Sequence, residues 1–446
     1  MNFIKPGRIL AGLLLGVLTT LPAHAEDLMS VYRQALDSDP TFLAARASHS
    51  AALEARPQSR AGVLPSIALT GSVARDRYDV HSSGQPATTS TATNKTYDLS
   101  LRQPIFRLDR FLQLKQADSR IAQADATFAA AQQALILRVA TTYFQVLGAR
   151  DNLEFVRADK AALKSTLEQA QQRFDVGLAA ITDKLKAQAA YDISVSDEIT
   201  AEQQLSDANE AMRELTGSLP PDLAVLQPDV PLLSPEPSDI DHWVKAALEQ
   251  NPEMLAAIAA TDTAREEVRV QRAGHYPTLD LTADYGYVDS LFGGSFKQQY
   301  TDTAIGLQLN LPLYSGGLTS SRTRQQAALY NQALQQQVQQ HRAVERQTRD
   351  NYHGVVSGIS RVQALSRAIE SNAKALEAAR SGFKVGTRDI VDVLDAQREL
   401  LRARRDYARS RYDYLLSTLR LKQAAGILGR QDLAGINAML VAGGNP

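Results

Sequence analysis

Asp392 and Asp395 stand three residues apart in a helical stretch, and carboxylates at that spacing share one face. Such a pair concentrates negative charge and can attract cations, although a solvated helix face holds it as readily. Nothing in the sequence turns it into a catalytic or metal-binding group. The seven histidines are scattered and make no His-Glu-x-x-His or similar cluster. Cysteine is absent, which excludes disulfides, thiolate metal sites, a cysteine nucleophile and a lipid-modified N-terminal cysteine. Gly293-Gly294 and Gly316-Gly317 are turn glycines without a phosphate-loop lysine. With 48 basic against 49 acidic residues the chain has no field suited to nucleic acid. These features predict no enzyme, no cofactor and no metal site.

The elements that carry the two aspartates follow from patterning. Lys5 and Arg8, the apolar run Ile9 to Leu21 and the small-x-small end Ala23-His24-Ala25 predict a secretory signal peptide cleaved after Ala25. The run is too short for a spanning helix. Further on, four stretches of about ten residues alternate apolar and polar side chains, the length of a tilted transmembrane strand. In the clearest, Leu279, Leu281, Ala283, Tyr285 and Tyr287 face one way, with Asp280, Thr282, Asp284 and Gly286 opposite. Tyr285 and Tyr287 then suit a girdle at a membrane interface better than a ligand-stacking site. The polar stretches His81 to Asn94 and Asp289 to Gln299 are expected to be exposed hairpin loops. The rest is rich in alanine, glutamine and leucine. Val355, Ile359, Val362, Ser366, Ile369, Ala373, Leu376, Arg380 and Phe383 keep a four-three step, the mark of a coiled-coil seam.

Those elements occur twice. Ala35-Leu36-Asp37-Ser38-Asp39-Pro40 recurs as Ala247-Leu248-Glu249-Gln250-Asn251-Pro252, and Phe174-Asp175-Val176-Gly177 as Phe383-Lys384-Val385-Gly386. The expected organisation is a leader over 1–25 and a first repeat over 26–217, with strands near 66–78 and 96–104 and helices near 40–61, 105–174 and 183–215. A proline-rich connector over 218–238 precedes a second repeat over 239–426, with strands near 278–288 and 301–312 and helices near 252–275, 318–383 and 392–425. A tail over 427–446 would join the connector in an equatorial belt. Gly177 and Gly386 supply the left-handed turn that ends each long helix.

Four strands cannot close a barrel, and open sheet edges are not tolerated in hydrocarbon. Two chains would give an eight-stranded barrel filled by its own side chains. Three give twelve strands and a lumen, which the long helices would continue as a coiled-coil tube. The expected fold class is therefore an α+β membrane protein, a trimeric 12-stranded β-barrel continuous with a 12-helix periplasmic tunnel. A periplasmic coiled-coil scaffold or adaptor without a pore would account for the helices and leader but not the strands. A simple diffusion porin would not account for the helices.

The chain closely resembles the TolC family of outer-membrane export channels along its mature length. The resemblance rests on Arg173-Phe174-Asp175-Val176-Gly177-Leu178, Ala180-Ile181-Thr182-Asp183, Pro277-Thr278-Leu279-Asp280-Leu281-Thr282-Ala283, Tyr314-Ser315-Gly316-Gly317 and Val385-Gly386-Thr387-Arg388, continuing to Val391-Asp392-Val393-Leu394-Asp395-Ala396. It implies a homotrimer in outer-membrane lipid, with a periplasmic adaptor and an inner-membrane pump docking on it to export drugs or secreted proteins. It also implies that Asp392 and Asp395 line a periplasmic constriction and act as a selectivity ring. Thr182, Asp183 and Arg388 match the family's gate links, and Val176, Gly177, Leu178, Val385, Gly386 and Thr387 its adaptor-docking motif. Two positions depart from well-known members: Phe383 replaces a tyrosine and Thr166 a glutamine, so the closed gate is expected to lose a hydroxyl link.

Overall fold

The computed structural model describes residues 26–441 apart from 82, 85, 220–221 and 293–295. The leader and its cleavage point, Pro220 and Pro221 of the connector, Gly293-Gly294 and residues 442–446 lie outside the described residues. The first half runs Leu28–Ser38 (α1), Pro40–Leu53 (α2), Ala55–Ala61 (α3), Ser66–Val80 (β1), Thr88–Phe106 (β2), Leu108–Asp175 (α4) and Ile181–Thr216 (α5). After a short strand, Val225–Leu226 (β3), the second half runs Ile240–Gln250 (α6), Pro252–Arg272 (α7), Thr278–Phe292 (β4), Phe296–Asn310 (β5), Leu318–Val385 (α8) and Ile390–Ala424 (α9). Arg430–Asn437 (α10) and Leu440–Val441 (β6) follow.

Asp39 before α2 and Asn251 before α7 accept hydrogen bonds from the first free N–H groups of those helices. Each is followed by a proline at the first helical position, where a missing N–H costs nothing. The expected single helix over 40–61 is broken at Glu54. Pro57 lies in the first turn of α3 and has no N–H to continue the ladder. The expected 105–174 helix begins only at Leu108, because Phe106 still pairs with Leu279 of β4. The 252–275 helix tightens into a 3₁₀ turn at Ala273–His275, ahead of Pro277. Residues Ile390 and Val391, ahead of the expected start at 392, are already helical in α9.

The strands form one antiparallel sheet in the order β1-β2-β4-β5, the central β2–β4 pair joining the two halves. They are longer than expected, and His81 to Asn94 and Asp289 to Gln299 are not simply loops. Pairing continues to Val80↔Thr88 and Phe292↔Phe296. Thr88, Thr89, Thr91 and Thr93 are β-branched and suit a pleat. The Asn94 side-chain amide also donates to Asp76 at 2.7 Å across the strands. At the far end β5 stops at Asn310, short of the expected 312, because Pro312 cannot donate to a ladder.

Register sorts the sheet into two faces. Ile67, Leu69, Leu99, Leu101, Tyr97, Tyr285, Tyr287, Ile305 and Leu307 fall on one, with Tyr97 stacked on Tyr287 at 6.4 Å. Ile305 and Leu69 are 77% and 72% exposed, so this apolar band is bare in the single chain. Thr70, Asp98, Ser100, Thr282, Asp284, Asp302 and Gln308 fall on the other. Beneath the sheet, nearly inaccessible Asp280 accepts from Arg102 and Arg107 at 2.6 and 2.7 Å, tying β4 to the β2–α4 corner.

α4 and α8 each have 68 residues, about 100 Å at 1.5 Å per residue. α7 packs between their sheet-side halves, where Gln116 of α4 donates to Glu267 at 2.7 Å. α5 returns along α4 and α9 along α8, leaving two hairpin tips at 176–180 and 386–389. The main core lies midway, where Tyr143, Leu147, Leu415 and Leu419 meet Leu28, Leu433 and Trp243. There β3 pairs with β6, so connector and tail are one small sheet.

Candidate functional site at the hairpin tips

Both tips turn on a glycine with positive φ, Gly177 at +74° and Gly386 at +80°, a conformation that penalises any Cβ. The N–H of Leu178 bonds back to the Arg173 carbonyl at 2.8 Å, and that of Thr387 to Gly382 at 2.9 Å. These bonds satisfy the last carbonyls of α4 and α8 and fix the turns. Val176, Leu178 and Val385 project from them, between 67% and 75% exposed. Three large apolar side chains on two adjacent tips are costly in water and offer a surface for another protein.

Asp389 caps α9, accepting from the Asp392 N–H at 3.0 Å. Asp392 and Asp395 thus sit in the first turns of α9, with side chains 42% and 59% exposed. Each has a guanidinium beside it: Arg388 Nη1, in the turn just before α9, lies 3.5 Å from Asp392, and Arg398 Nη1, on α9 itself, 3.3 Å from Asp395. Within one chain, among the described residues, Arg388 pairs with Asp392 and not with Asp183. Thr182 is exposed and Asp183 half-buried at the head of α5. Thr166 bonds the carbonyl of Ala162 on its own helix.

Four residues that the sequence reading passed over shape this site. Arg173, ending α4, places its guanidinium 4.7 Å from the centroid of the Phe383 ring and donates to the Phe383 carbonyl at 3.2 Å. The two tips are thereby joined by a cation–π contact and a hydrogen bond to a helix C-terminus, both favouring a cation there. Gly382 makes room for Arg388, since a Cβ there would stand 2.6 Å from Arg388 Cγ. These two occupy the same place in the repeats, two residues after Gln171 and Arg380 respectively, an asymmetry visible in the sequence. Higher up, buried Gln397 of α9 donates to Asp159 of α4 at 2.8 Å, while its own carbonyl oxygen has no partner. Burial pushes the Asp159 carboxyl up from its usual range, as it does Asp151, which accepts from Tyr412 at 2.7 Å.

Among the described residues no group of acidic or histidine side chains is arranged to hold a metal ion, and no helix is long and apolar enough to cross a membrane. The tips therefore offer charge, apolar contact and a tunable joint. A profile of the family described as "Outer membrane efflux protein" matches residues 31–218 and 243–427. The chain belongs to that family. It is 40% identical to the outer membrane protein TolC of Vibrio cholerae, over 93% of this chain and 94% of the relative. It is 36% identical to TolC of Escherichia coli, over 97% and 88%. The alkaline protease secretion protein AprF of Pseudomonas aeruginosa is 30% identical over 95% and 89%. The fold matches the solved outer membrane protein VceC of Vibrio cholerae with a TM-score of 0.75, at 21% identity over 90% of this chain and 96% of that one. It matches the open-state MtrE channel of Neisseria gonorrhoeae with a TM-score of 0.72, at 19% identity over 91% and 90%.

Proposed function

We propose that this protein is the outer-membrane exit duct of tripartite export systems, passing drugs and secreted proteins from inner-membrane pumps to the exterior. The observation that carries the reading is the four-stranded sheet with one bare apolar face, whose strands β2 and β5 lead through short connections into helices about 100 Å long. Relatives named for efflux and for protease secretion support it. The apolar band suits lipid and the polar face a lumen.

Within that reading the channel is a homotrimer, each chain a tandem duplication giving four of twelve strands and four of twelve tunnel helices. Equal lengths of α4 and α8, and a family profile that matches twice, support the duplication. The leader would be removed after Ala25, and the repeats, connector and tail would keep the boundaries given above. Asp392 and Asp395 form the periplasmic constriction. Thr182, Asp183 and Arg388 link neighbouring tips in the closed state, where Arg388 exchanges Asp392 for a partner on another chain. Val176, Gly177, Leu178, Val385, Gly386 and Thr387 receive the periplasmic adaptor. Deleting the gene tests the function: drug sensitivity, loss of secreted proteins, or both, should follow. An unaltered phenotype in both assays, from a protein extracted without detergent, would favour the periplasmic scaffold instead.

A further inference from the structure

The carboxylates of the constriction are not alone. Asp392 has Arg388 at 3.5 Å and Asp395 has Arg398 at 3.3 Å. Arg388 has a second use at the gate, and leaves Asp392 whenever it links to a neighbouring tip. Arg398 sits within α9 a turn beyond Asp395, away from the tip turn, and its charge also reaches Asp159 of α4. The helix continues the theme. Residues seven apart in a coiled coil keep the same face, so Asp395, Arg402 and Arg409 make one column. Arg402 and Arg409 are exposed, as is Arg398. From Arg388 to Arg409 the segment holds six arginines against five carboxylates. A ring read only from its two aspartates carries two negative charges per chain, whereas this stretch of helix is close to neutral.

We propose that Arg398 is a specificity-determining residue of the channel, its guanidinium offsetting the Asp392–Asp395 pair and holding cation preference well below what those carboxylates alone would impose. The proposal rests on the constriction reading of the two aspartates. Distance selects Arg398 from the other arginines of α9. It lies about 4.5 Å along the axis from Asp395 and Arg402 about 10.5 Å, against a screening length of about 8 Å at 0.15 M salt. Arg398 therefore acts on permeating ions at physiological ionic strength. Arg402 joins it only when salt falls to about 0.01 M, where screening reaches about 30 Å.

The test is the reversal potential of the purified full-length channel in planar bilayers under a KCl gradient. Arg398→Gln is expected to raise the potassium-to-chloride permeability ratio about two- to fivefold at 0.15 M, the effect of removing one screened charge per chain near the pore. Arg398→Lys keeps the charge and should leave the ratio at the parent value. Arg402→Gln should shift it clearly only in dilute salt. If Asp392→Asn with Asp395→Asn lowers the ratio while Arg398→Gln leaves it unchanged, charge compensation is overturned and the constriction stands. If the aspartate pair also changes nothing, the constriction reading fails and takes the proposal with it. A shift in Arg398→Lys equal to that in Arg398→Gln would likewise overturn the charge argument.

Discussion

At position 383 a benzene ring occupies a place where the family resemblance expects a phenol, and the Arg173 guanidinium covers its face at 4.7 Å. Both side chains are half-buried, and the lower end of the cation–π range gives about 0.5–1 kcal/mol for such a contact. Three equivalent contacts released together would bias opening by about 1.5–3 kcal/mol, roughly ten- to a hundredfold in the closed-to-open ratio. Arg173→Ala and Phe383→Leu should therefore each raise open probability in single-channel recordings. Their double variant should be little worse than either alone, and full additivity would show that the two side chains act separately. Arg388→Ser is expected to raise conductance by removing the proposed link between neighbouring tips. Phe383→Tyr keeps the ring under Arg173 and adds a donor, so it should lower conductance; no change would mean that the hydroxyl finds no acceptor. The tip glycines were legible because a glycine that ends a long helix stands out in the sequence, and both have positive φ. Arg173 and Gly382 were not, because a cation on a ring and a vacancy beside an arginine become meaningful only when two distant helix ends meet.

Helix α4 is fastened to α9 by two half-buried carboxylates, Asp151 to Tyr412 and Asp159 to Gln397. Asp159 faces Asp197 of α5, Arg398 and Arg405 of α9, and on the adjoining surfaces Arg380 and Arg404. Burial dominates, so its carboxyl is raised from the usual value near 3.8. A raised carboxyl stabilises the fold fully below its unfolded pKa and progressively loses that contribution as pH climbs through the folded one. Neutral Asp159 can also donate to the Gln397 oxygen that otherwise lacks a partner. Asp159→Asn should reproduce that reciprocal pair at any pH, stabilising the α4–α9 joint by about 1 kcal/mol at pH 7.5. Melting curves at pH 5 and 7.5 check this: the gain should shrink at the lower pH, and a variant melting below the parent at pH 7.5 would refute the pairing. The seam from Val355 to Phe383 showed the helices plainly, because a four-three step has no other use, and its flawed positions Ser366 and Arg380 are exposed. Strand ends were harder to read. Threonine-rich runs look polar and loop-like, yet their branched side chains keep the pleat going past the apolar band to Thr88.

For the molecule as a whole the decisive fact is that, among the described residues, β1 and β5 are the edges of the sheet, each paired with a neighbouring strand on one side only. In hydrocarbon every unpaired N–H and C=O costs several kcal/mol, and β1 and β5 run 15 residues each. No rearrangement of a single chain removes both edges, because four strands are too few to close. Pairing β5 of one copy with β1 of the next would remove them all at once, and in the proposed trimer the face that carries Asp98, Asp284 and Asp302 would line the lumen. Leu313 and Tyr314, which follow β5, are 88% and 89% exposed in the single chain. Mass measurement in detergent should therefore return three chains, and a stable monomer or dimer would end the tunnel argument. Leu307→Pro probes the edge directly. Leu307 lies mid-strand in β5 opposite Leu281, and proline there removes an N–H and distorts the ladder. The helical half keeps its own core around Tyr143 and Leu419, so the variant should remain largely helical by circular dichroism while failing to assemble. Should it form the same heat-resistant oligomer as the parent, assembly would have to be driven by the helices, with the sheet closing only as a consequence.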